Sequence, residues 1–65
     1  MTQKTLEKIP REVLLHIEIL KKDYKDQRLD RNICRSSCRE YVRGLRDGGL
    51  ITERERQQLF AYMTI

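Results

Sequence analysis

The sequence predicts an all-α fold of three short helices, and three observations carry that reading. Apolar residues recur at alternating spacings of three and four, no stretch alternates with period two, and a glycine pair followed by a Thr-x-x-Glu motif punctuates the C-terminal half. With 65 residues the chain makes one helical domain, residues 1–65. A domain of that size buries only about 60% of the surface its unfolded chain exposes. So small a core usually needs disulfides, a metal, a partner subunit or very regular helix packing, and a homodimer is the expected solution.

The first helix is expected near residues 10–26. Pro10 has no backbone N–H to waste and its φ is preset for a first turn. Val13, Ile17, Leu20 and Tyr24 then form one stripe. Leu15 and Ile19 fall on nearly the opposite side, where one packed neighbour cannot cover both stripes. They are the candidate dimer contact.

The second helix is expected near 33–47, capped by Asp30 or Asn32, whose short side chains can accept a first-turn N–H. Cys34, Cys38, Tyr41 and Leu45, with Val42 alongside, make its inward stripe. Arg35, Arg39, Arg43 and Arg46 follow the same rhythm one position later and turn toward solvent. Its end is marked by Gly48 and Gly49, either of which can take the left-handed conformation, with Leu50 able to close on Leu45. Thr52 and Glu55 fit a capping box opening a third helix near 53–62, with Leu59, Tyr62 and Met63 inward and Phe60 to one side.

Charge is distributed unevenly. The net +4 lies wholly in residues 28–46, where six arginines stand against Asp30 and Glu40. Arginine's planar fork binds carboxylate or phosphate bidentately. Arg35, Arg39, Arg43 and Arg46 are therefore the candidate partner-binding residues, facing an acidic protein or nucleic acid, against the plainer reading of a solvated helix face. Taking the second and third helices as a DNA-binding helix-turn-helix is weakened by Glu53 and Glu55 in the turn that would approach phosphates. Arg54, Arg56, Gln57 and Gln58 keep that alternative open.

Other chemistry is harder to assemble. Cys34 and Cys38 make one close pair with no second pair, which is short of a structural zinc site. Cβ atoms four residues apart on a helix also lie about 5–6 Å from each other, too far for a disulfide. Two reduced, metal-free core cysteines are expected. His16 has no acid, nucleophile or second histidine near it in sequence, and no carboxylate pair stands out from the ten acids. The sequence points away from an enzyme, with no catalytic residues, metal or cofactor. The longest unbroken apolar run is Val13-Leu14-Leu15 and acids occupy the place of a signal peptide's apolar segment, so a cytoplasmic protein without membrane contact is expected.

Residues 32–60, NICRSSCREYVRGLRDGGLITERERQQLF, and the chain's size resemble the small accessory proteins encoded in the exo–xis region of temperate lambdoid phages. The resemblance implies a small, helical, oligomeric, non-enzymatic regulatory protein acting inside the bacterial host during phage development, on a host factor. It assigns no role to any residue.

Overall fold

The computed structural model describes residues 6–26 and 30–65. Among them are four helical elements and no strand: a turn at residues 6–8 (α1), Arg11–Asp26 (α2), Arg31–Asp47 (α3) and Glu53–Met63 (α4). None is long and apolar enough to cross a membrane. Arg28, counted with the basic segment, lies outside the described residues.

α2 begins directly after Pro10, whose carbonyl accepts the Leu14 N–H at 2.9 Å. α3 starts two residues before its expected position, because Asp30 is the cap, its carboxylate accepting the Asn32 N–H at 2.9 Å. Its other end is a Schellman stop: the Leu50 N–H reaches the Leu45 carbonyl at 3.0 Å and the Gly49 N–H reaches the Arg46 carbonyl at 2.9 Å. Gly49 takes φ +80°, so of the two glycines it supplies the left-handed residue. Three residues later Thr52 and Glu55 form the capping box, with both reciprocal bonds present at 3.1 and 2.8 Å.

The three long helices all touch one another. α2 and α3 run antiparallel, with Tyr24 beside Arg31 and His16 stacked on Tyr41. α2 and α4 run in the same sense: Lys8, just before α2, pairs with Glu55, while Glu18 accepts the Tyr62 hydroxyl at 2.6 Å and the Lys21 ammonium sits 3.7 Å over that ring.

Between the helices lies a core of Ile9, Ile17, Cys38, Val42, Ile51, Leu59 and Met63. Ile17, Tyr24, Cys34, Cys38, Val42, Leu59 and Met63 are buried as their helix periods predict, and Val13, Leu20, Tyr41, Leu45, Phe60 and Tyr62 line the edge half-buried. Ile9 and Ile51 were not expected: both lie outside the long helices and plug the core from the connections. Leu15 and Ile19 remain 56% and 60% exposed on the far side of α2.

Candidate interaction site

A helix turns 40° between residues four apart, so Arg31, Arg35, Arg39 and Arg43 drift along one edge of α3 from beside the buried stripe out to solvent. α4 packs next to this edge, and its half-buried Phe60 sits under it. The guanidinium carbons of Arg35 and Arg39 lie 5.6 and 5.9 Å from the Phe60 ring centroid, within the range where a cation is drawn to an aromatic face. Arg31 repeats the arrangement on Tyr24, 5.4 Å from its centroid, with its Nε donating to the hydroxyl at 3.1 Å. Arg43 points outward from the open side.

Arg46 is different. Its Nη1 donates to Glu53 at 2.6 Å, and its Nε and Nη2 both donate to Asp47, at 3.2 and 2.9 Å. Glu53 also accepts from Arg56 at 2.8 and 2.6 Å and from Gln57 at 3.1 Å. Its carboxyl is held well below the ordinary carboxylate range, most strongly by Arg56 and then by Arg46 and Gln57. Glu55 is likewise lowered, first by Lys8 and then by the Thr52 backbone N–H. Of the four arginines singled out in the sequence, the structure therefore gathers Arg35 and Arg39 on one ring, sets Arg43 beside them, and turns Arg46 into the joint between α3 and α4. Phe60 is the member that sequence reasoning missed; its place to one side of the α4 stripe was the available signal.

The remaining candidates have structural surroundings. Cys34 and Cys38 are buried and free, and Cys34 Sγ lies 3.9 Å from the Asp23 carbonyl oxygen. Burial first, then the neighbouring Cys34 and Asp23, push the Cys38 thiol up and keep it protonated. Among the described residues no cluster of three or more His, Cys, Asp or Glu is arranged to hold a metal. His16 is exposed, its ring stacked on Tyr41 with centroids 4.4 Å apart and planes 7° from parallel. An open groove of about 420 Å³ runs along α3 past Asn32, Ile33, Ser36, Ser37 and Glu40, and a cleft of about 80 Å³ opens between Leu20, Asp23, Cys34 and Ser37. Neither brings an acid, base and nucleophile together.

At the start of α4 both acids that weakened the helix-turn-helix reading are occupied, Glu53 by arginines and Glu55 by Lys8 and the cap. Comparison with family models, with curated proteins and with solved structures finds no match to this chain.

Proposed function

We propose that the chain is a small non-enzymatic interaction protein that takes an acidic protein partner on the edge formed by Arg35, Arg39, Arg43 and Phe60. One observation carries the reading. The two acids that open α4 are spent on Arg46, Arg56 and Lys8, and Arg35, Arg39 and Arg43 have no ion pair among the described residues. Unpaired guanidiniums held over an aromatic ring are partly pre-ordered, so a carboxylate-bearing partner gains bidentate contacts at a lower cost in side-chain freedom. The same chain forms a homodimer through Leu15 and Ile19, which a 65-residue monomer leaves exposed. With the exo–xis resemblance, the setting is the host cytoplasm and the partner a host factor that a phage accessory protein regulates.

The test is capture of partners from bacterial lysate, with and without nuclease, by the native chain and by Arg35→Gln/Arg39→Gln/Arg43→Gln. A protein retained by the native chain after nuclease and lost by the variant supports the reading. Capture that disappears with nuclease, and an affinity falling with a log–log salt slope near −3, about 0.9 per phosphate contact, would put nucleic acid in the partner's place.

A further inference from the structure

The outer face of α2 has a pattern that says what can cover it. Glu12, Leu15, Ile19, Lys22 and Asp26 fall within about 40° of one line along the helix, opposite buried Ile17 and Tyr24. All five are exposed, and none of the three charged members has an ion pair with another described residue. From Glu12 to Lys22 the order is acid, apolar, apolar, base. Reversed, that order presents each charge to its opposite and each apolar residue to the other.

We infer that α2 packs antiparallel against α2 of a second copy, about a two-fold axis at the level of Ile17. This rests on the homodimer proposed above and fixes its geometry. Leu15 of one copy meets Ile19 of the other, and Glu12 meets Lys22, each contact occurring twice, as an isologous interface requires. A parallel pairing sets like on like, Glu12 on Glu12, Lys22 on Lys22 and Asp26 on Asp26, with every charged layer repulsive. The flanking Arg11 and Lys25, which the antiparallel pairing brings toward each other, stand well off the line on long stems that turn to solvent. A heterologous partner would have no need of a line that complements its own reverse. Only four apolar side chains meet in this dimer, so the charged layers decide register and orientation.

The experiment is sedimentation equilibrium of the full chain at low salt, comparing the native protein with Glu12→Lys, Lys22→Glu and the double exchange Glu12→Lys/Lys22→Glu. All three keep strong helix formers at exposed positions, and unchanged helicity by circular dichroism checks the fold. Each single variant turns two attractive layers into repulsive ones, and the loss of two exposed pairs alone should weaken the dimer roughly two- to thirtyfold. The double variant restores both layers and should dimerise within about twofold of the native chain. A native dimer indifferent to the single changes, or weakened by them without rescue in the double, overturns the antiparallel pairing and leaves dimerisation standing. A native chain that stays monomeric overturns the dimer itself.

Discussion

The two halves of α3 carry the same residue at the same period and use it differently. At the C-terminal end Arg46 is tied to Asp47 and Glu53, and through Glu53 to Arg56, at the place where α3 stops and α4 begins. In the middle, Arg35 and Arg39 meet a ring and no carboxylate among the described residues. What separates a structural arginine from an available one is the supply of acids on the neighbouring helix. α4 carries Glu53 and Glu55 in its first turn and no acid after it, so only the end of α3 nearest that turn is neutralised.

The largest way to break this contrast is at the joint. Gly49 holds φ +80° with open space around the site of a Cβ, so a methyl group there costs conformation and meets no clash. Gly49→Ala should destabilise the fold by about 1–2 kcal/mol, read in urea unfolding. It should also loosen the Arg46–Glu53 pair more than the Arg35–Phe60 contact, because Arg46 and Glu53 flank the turn directly while Arg35 and Phe60 lie further along the two helices.

A smaller effect should follow from removing the acid and leaving the turn intact. Glu53→Gln takes the shared carboxylate from Arg46 and Arg56 together, leaving Arg46 with Asp47 alone and its Nη1 available to the edge. Its melting temperature should fall, while affinity for a glutamate-rich peptide, measured by fluorescence anisotropy at low salt, should rise about two- to fivefold, the order expected of one exposed ion pair. Unchanged affinity would mean that Arg46 does not join the edge even without Glu53.

These contacts were legible to different degrees. The Gly-Gly stop and the Thr-x-x-Glu box are local signals, each complete within six residues, and both form as the sequence implies. Asp30 and Asn32 were equivalent as caps until the chain's entry into α3 chose between them. Ile9 and Ile51 escaped because a period can be counted only inside a helix, and each fills the core from a connection. The diversion of Arg46 could not be read from α3 alone. It depends on α4 folding back so that Glu53, seven residues on, faces the preceding helix.

The smallest effect concerns pH on the α2–α4 side. Tyr62 donates its proton to Glu18, and that bond, with burial and the nearby carboxylate charge, pushes its phenol from the ordinary 10 up to about 12. A raised folded value means the folded chain holds this proton more tightly than the unfolded one. The stabilisation is complete below pH 10 and is lost as pH rises toward 12. Thermal melts across that range should show a decline that Tyr62→Phe flattens, while Arg35→Gln/Arg39→Gln/Arg43→Gln leaves it in place.

The central claim is the division of labour along α3, and one paired measurement tests it most directly: melting temperature and affinity for the same glutamate-rich peptide, for Arg35→Gln/Arg39→Gln/Arg43→Gln and for Arg46→Gln. The triple variant should melt close to the native chain, since exposed changes cost about 0.5 kcal/mol or less each, and should lose peptide binding. Arg46→Gln should melt lower and keep binding. The reverse outcome, a triple variant that unfolds early or binds normally beside an Arg46→Gln chain that folds normally and no longer binds, would contradict it.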